Sequence, residues 1–270
     1  MAKLREDKIE LTDLSEYLEK ESDFSFEMMV LHRLGEMGFS CEHGGTYEDP
    51  FTLKRREFDI RGQYKTENKY FSMAAECKNI RDNFPLLASL VPRREGEDFH
   101  DLVSYDSTSS NARVLNASDK IRKQNSSFYP VDGMVAKKLD QVGRALDGKI
   151  VGNDSNTFDK LTQAVNSAHD LIKTSFLRRG KDFFEFICPV LVVPDDRLWA
   201  VEYSTKGNQL GEPKKLNACF LYLDQSWEIQ NGLIRTSITL SHLDVVTYSH
   251  LEKYVKNIFD DVDGVFSGLN

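Results

Sequence analysis

The uncharged run ICPVLVV (187–193) limits what this chain can fold into more than any other stretch. A strand with one wet face alternates polar and apolar side chains, whereas a run without polar residues is buried on both faces. Such a strand needs covering layers above and below. The run therefore predicts a central strand in a layered sheet, with Pro189 near its start, where a missing ladder donor costs least. Candidate covers recur at helical spacing. A helix is expected over about 22–37, capped by Ser22 or Asp23 and stopped near Gly38, with Phe24, Glu27, Val30, Leu31 and Leu34 on one stripe. A second, over about 157–178, carries Phe158, Leu161, Val165, Ala168 and Ile172. A closing helix presents Leu251, Val255, Ile258 and Val262 behind a capping box of Ser249 and Glu252.

Strand-like segments lie between these helices. Three follow the first helix, at about 39–47, 57–64 and 70–78; LWAVEY, ACFLYL and IRTSITL follow the central run. GMVAKKLDQVGRALDGK (133–149) places Val135, Leu139, Val142 and Leu146 at helical spacing before Gly148, so a further helix is expected there. The order points to an α/β or α+β sandwich around one central sheet. With no linker rich in Pro, Gly or Ser, residues 1–270 read as one domain in which 79–155 form a helix-bearing insertion.

Composition excludes some classes. A chain of 270 residues, 40% hydrophobic and 29% charged, can bury a core without disulfides. The four cysteines are widely spaced and form no C-x-x-C pair, which suits buried thiols in a reducing compartment. The charged amino terminus lacks a signal-peptide core and no apolar run approaches a membrane span, so a cytoplasmic protein without membrane contact is expected. The net charge of −8 argues against a surface that attracts polyanions everywhere. Charge is nonetheless uneven: residues 1–27 hold nine acidic and four basic side chains, residues 111–150 eight basic and four acidic. Lys137, Lys138 and Arg144 in that basic region are candidate phosphate contacts, although an ordinary solvated helix face explains them equally well. No phosphate-binding glycine loop or nucleophile elbow is present.

Polar residues in apolar settings carry the functional argument. Alternation in 57–64 sends Phe58 and Ile60 to one side and Glu57, Asp59 and Arg61 to the other. In 70–78 it places Ala74, Glu76 and Lys78 on a common face, while Glu27 lies on the buried stripe of the first helix. A buried charge demands a partner or a cation. Residues two apart on a strand face are about 7 Å from each other, so Glu76 could hold a cation while Lys78 reaches a neighbouring substrate oxygen. Asp59 would complete that set if register brings it alongside. Oxygen ligands favour a hard cation such as Mg²⁺. The bland reading of Glu76 and Lys78 is an ion pair on an exposed sheet face. His32, His43, His100 and His169 show no metal-type spacing and read as surface or structural residues.

Asp59 in REFDI, Glu76-Cys77-Lys78 in AAECKN, and Glu27 on a preceding helix together resemble the PD-(D/E)XK nuclease superfamily. The resemblance spans about residues 22–203 in outline and is specific at few positions. It implies a restriction-endonuclease-like fold, a central mixed sheet flanked by helices, and a Mg²⁺-dependent endodeoxyribonuclease in which Mn²⁺ substitutes. Asp59 and Glu76 would ligate the metal with the Cys77 carbonyl, and Glu27 would support the metal or its water. Lys78 would activate the attacking water, and Gln163 would be the polar residue of the second core helix. Hydrolysis would leave a 5′ phosphate and a 3′ hydroxyl. Phe58 stands where many members have proline, which makes Glu57 a competing acid. The long interval 79–155 would be a lid, a DNA-gripping element or a dimer contact. DNA is the expected partner, with a homodimer and a regulatory protein compatible; a ribonuclease on the same site and a non-cleaving nucleic-acid-binding or assembly module remain open.

Overall fold

The run 187–193 is the second half of an eleven-residue strand, Phe183–Val193, in the interior of a 13-stranded mixed sheet. The structure, a computed structural model, describes residues 6–97, 99–108, 111–115, 133–152, 155–178, 181–231 and 234–267. In chain order the elements are α1 (Leu11–Lys20), α2 (Phe24–Glu36), β1 (Ser40–His43), β2 (Thr46–Glu48), β3 (Arg55–Glu57), β4 (Ile60–Thr66) and β5 (Lys69–Cys77). Then come β6 (Leu86–Pro92), β7 (Leu102–Asp106), β8 (Asn111–Leu115), β9 (Met134–Arg144), β10 (Ile150–Gly152) and α3 (Ser155–Leu177). The chain closes with β11 (Phe183–Val193), β12 (Leu198–Tyr203), β13 (Gln209–Lys215), β14 (Ala218–Asn231), β15 (Ile234–Thr247) and α4 (Leu251–Ser267), the last two joined by a short turn of 3₁₀ helix.

The main sheet runs β1-β4-β5-β11-β15-β14-β9-β6-β12-β13. The β5/β11 and β11/β15 pairs are parallel, and β4/β5 is antiparallel. Parallel neighbours need covered faces, and each face has its own core. On one side α3 packs Ala164, Val165, Ala168 and Ile172 against Ala74, Ile187 and Leu191. On the other, α2 and α4 bring Val30, Leu34, Leu251 and Val255 against Met73, Ala75, Cys77 and Val192. Consecutive residues of β5 thus divide between the cores, as the two-residue period requires. Each fully buried Val or Leu stabilises by about 1.5–3 kcal/mol.

Three expectations about elements change. Pro189 lies in the middle of β11, not near its start. One edge of β11 pairs with β7 at 183–185 and with β15 from Val190 onward, and Pro189 falls between, where its missing N–H breaks no bond to either partner. Residues 133–149 form β9 and the turn into β10, not a helix, and the described residues between 79 and 152 contain strands β6–β10 and no helix. These strands therefore belong to the main sheet. A step of three sends Leu139 and Val142 to opposite faces of a strand, so the spacing itself favours a helix, and β6 overrides it by pairing with β9 from Leu86 to Pro92. Leu146, the last member of the expected stripe, is fully exposed. Gly148, at φ +85, makes the β9–β10 turn instead of stopping a helix. Lastly, Glu252 pairs with Arg33 at 2.5 Å and does not close a box with Ser249. The basic stretch 118–125 lies outside the described residues.

Candidate active site

Register brings the acids together. Ile60 pairs with Ala75 in the antiparallel β4/β5 ladder, so Asp59, just before β4, comes alongside Glu76. The Asp59 N–H donates to Glu76 Oε1 at 3.3 Å, and the Cys77 N–H donates to Asp59 Oδ2 at 2.8 Å. Gly45 helps fix this geometry. Its N–H-bearing neighbour Phe58 packs its ring where a Cβ on Gly45 would stand, so only glycine permits the approach. Phe58 is buried, and the residue that follows it is held in place.

The cation at this pair comes from α3. Lys160 Nζ donates to Asp59 at 2.8 and 2.6 Å and to Glu76 Oε2 at 3.1 Å. One and two turns on from Lys160, the small residues Ala164 and Ser167 are buried under the helix, and Ser167 accepts from Arg61 of β4 at 3.1 Å. Burial works against the charged ammonium, but Glu76 and Asp59 more than offset it, and the Lys160 pKa is raised. Glu76 is 1% exposed. Burial, and then the charge of Asp59, push its carboxyl up to about 8 despite the opposing ammonium. Glu27 is also raised, first by burial and then by Asp59, so the α2 carboxylate belongs to the same electrostatic cluster. His43 Nε2 lies 3.2 Å from Glu27 Oε2 and partly counters this shift.

The expected residues divide into two groups. Asp59 and Glu76 come together, with Glu27 near enough to feel the charge of Asp59, whereas Lys78 does not join them. It lies just past the end of β5, and its Nζ donates to Asp23 Oδ2 at 2.8 Å while Asp23 also accepts the Asn79 N–H. The ammonium expected from β5 is supplied by Lys160. Glu57, the competing acid, is exposed on β3. Gln163 is one turn along α3 from Lys160, and its carbonyl accepts the Tyr47 hydroxyl at 3.4 Å. The Cys77 thiol points into the α2/α4 core, and burial raises its pKa.

Lys137, Lys138 and Arg144 lie on β9, four strands from β5 in the sheet, roughly 19 Å at about 4.8 Å per strand. A bulge in the β6/β9 ladder turns Lys137 and Lys138 outward together. Lys137 pairs with Glu97 at 2.5 Å, Lys138 pairs with Asp140, and Arg144 donates to the Gly148 carbonyl at 2.8 Å. Lys160 and His43 are the site residues that sequence reasoning missed. For Lys160 a faint signal existed: a cation on the flank of the α3 stripe next to small residues, facing a strand with a buried acid.

Among the described residues, no three of His, Cys, Asp and Glu gather as a metal-holding group. Asp59 and Glu76 nevertheless present hard oxygens to one point, since a single nitrogen contacts both. Mg²⁺ is commonly held by one or two carboxylates plus waters and phosphate oxygens, so this donor pair fits such an ion. This pair of carboxylates sharing one ammonium, with Glu27 close enough to feel the charge of Asp59, is suited to proton transfer, because the Glu76 carboxyl is poised near neutral pH. Comparisons with protein-family models, with curated proteins and with solved structures find no match to this chain.

Proposed function

We propose that this chain is a metal-dependent nuclease of the PD-(D/E)XK kind, with a restriction-endonuclease-like core from α2 through β11, that hydrolyses DNA phosphodiester bonds. The observation that carries the reading is the convergence of Asp59, Glu76 and Lys160 from two adjacent strands and the helix above them. Asp59 and Glu76 would hold Mg²⁺, with the Cys77 carbonyl as a further ligand and Glu27 directed at a bound water. The metal would lower the pKa of that water and offset charge on the phosphorane transition state. Lys160, which bridges Asp59 and Glu76 in the metal-free chain, would turn from them to the attacked phosphate and donate to it as negative charge builds there. Glu27, raised by its surroundings, can take up the proton of the attacking water, while His43 fixes its orientation. This assigns the lysine's role to Lys160 rather than Lys78.

Cleavage assays on plasmid, linear and single-stranded DNA and on RNA, with a Mg²⁺ and Mn²⁺ series, test the reading. Wild type is expected to cut DNA only with a divalent ion, and Glu76→Ala is expected to abolish cutting. A folded wild type that is inert on every DNA, or a Glu76→Ala variant of full activity, would sink it.

A further inference from the structure

A second feature lies across α3 from the carboxylates. The flank of the helix away from Lys160 borders, with β9 and β14, a cavity of about 520 Å³, floored by Leu161, Val165 and Leu221. Phe51 and Phe158 stand at its rim, 64% and 66% exposed. Aromatic rings of this size are ordinarily covered, because exposing them forfeits their burial. Phe51 is not on a loose end. Its N–H donates to Asp49 Oδ1 at 3.1 Å, and Asn166 of α3 donates to Asp49 Oδ2 at 2.9 Å, which fastens the loop to the helix. Tyr222, Lys137 and Lys138 form the opposite wall. The Lys137 ammonium lies 3.8 Å from the centre of the Tyr222 ring. Lys138 is exposed and pairs with the half-buried Asp140, and an ammonium on the solvent side of such a pair can turn to a second anion.

Two exposed aromatic rings opposite Lys138, with Lys137 held by Glu97, match a ligand with a flat apolar ring and an attached anion. We propose that this groove stacks an unpaired nucleobase of a single-stranded or locally opened DNA segment, with Lys138 on an adjacent phosphate. The proposal rests on the nuclease reading for its choice of nucleic acid. Base stacking on aromatic side chains tolerates any sequence, since every base has a π face. Phe158 is two residues from Lys160 but on the other side of the helix, so the groove lies roughly one helix diameter, about 10 Å, from the carboxylates. It would hold a nucleotide flanking the scissile bond and favour substrates whose flank is unpaired.

Binding is measured on the full chain in EDTA, so that cleavage plays no part, using a single-stranded deoxyoligonucleotide containing 2-aminopurine and the matching duplex. The Phe51→Ala/Phe158→Ala pair is expected to weaken single-strand binding about ten- to a hundredfold, to remove quenching of the 2-aminopurine, and to leave duplex binding within about threefold. Lys138→Ala is expected to lower the slope of log affinity against log salt by about 0.7. Phe51→Leu/Phe158→Leu keeps apolar area without the π faces and controls for folding. Loss with leucine as with alanine supports stacking, and full retention with leucine overturns it. Single-strand affinity unchanged in the alanine pair also overturns the proposal, as does a dimer that dissociates in that pair, which would make the groove a contact between copies. Aromatic-dependent binding without any divalent-ion cleavage would sink the nuclease reading and keep the groove; Glu76-dependent cleavage with unchanged binding would do the reverse.

Discussion

Glu76 is a fully buried carboxylate beside a second acid, and the cost of that position can be read out as a pH dependence. Its pKa is raised from the ordinary range to about 8, so the folded chain holds a proton there that the unfolded chain gives up above about 4.5. A group raised in this way contributes stability at low pH that is lost as pH rises through its folded value. Glu76→Gln, neutral at every pH, escapes the loss. Relative to wild type, the variant should gain about 2–4 kcal/mol between pH 4.5 and 8 while losing all cleavage, as measured by urea unfolding at several pH values. A difference that does not change with pH would contradict the assigned environment. The two lysines give a second test. Lys160→Ala removes the ammonium shared by Asp59 and Glu76, so it should abolish cleavage and cost about 3 kcal/mol in a metal-free buffer. Added Mg²⁺ should then recover part of that stability by binding the two freed carboxylates. Lys78→Ala breaks only the pair with Asp23 and should keep cleavage within a fewfold of wild type. The opposite ranking of the two variants would return the role to Lys78.

At the scale of elements, the site depends on where strands begin and end. The apolar run at 187–193, the alternation in β4 and β5 and most of the stripes of α2 and α3 were legible, because burial of one or both faces imposes a period on the sequence, although the leading stripe members Phe24 and Phe158 are exposed. Glu27 and Glu76 followed from that pattern as charges at positions it buries, whereas Asp59 lay on the polar side of its segment with Glu57 and Arg61 and was singled out by the resemblance. Lys78 shares the parity of Glu76, but β5 ends at Cys77, and beyond a strand's end parity no longer determines direction. Lys160 was hidden because its partners are 84 and 101 residues away in sequence, and only the packing of α3 over β5 brings them together. The β9 misreading has a related cause: its identity as a strand is set by pairing with β6, a long-range partner. The junction of β1 and β2 supplies the prediction at this scale. Gly45→Ala would drive a Cβ into the Phe58 ring, so Phe58 must shift and Asp59 with it. The expected result is a loss of about 1–3 kcal/mol and a clear drop in cleavage rate, measured by thermal unfolding and by initial rates. Loss of stability with an unchanged rate would show that Asp59 is not positioned through this contact.

For the molecule as a whole, buried titratable groups pull stability in opposite directions with pH. On one side are carboxyls raised by burial, Glu76 to about 8 and Asp244 to about 7. On the other are histidines lowered by burial, His100 and His242, which stack at 4.0 Å, and His169, which packs on Trp227 at 4.8 Å. Between about pH 4.5 and 6.5 the unfolded chain takes protons on the histidines, while the folded chain holds them on the carboxyls. The two sets therefore offset each other, and the wild-type profile is expected to be shallow across that window. His169 isolates one side of the balance. Burial lowers it to about 4, with Lys173 acting in the same direction and Asp170 against. Its contribution is present above the unfolded value near 6.5 and is lost as pH falls toward 4. His169→Phe keeps the packing on Trp227 and cannot take a proton, so it should gain about 2–3 kcal/mol on wild type as pH falls from 6.5 to 4. That slope is opposite in sign to the one expected for Glu76→Gln. Because the two side chains lie on different elements, the double variant should follow the sum of the two difference profiles, and a curve that departs from the sum would reveal coupling between the site and the far end of α3.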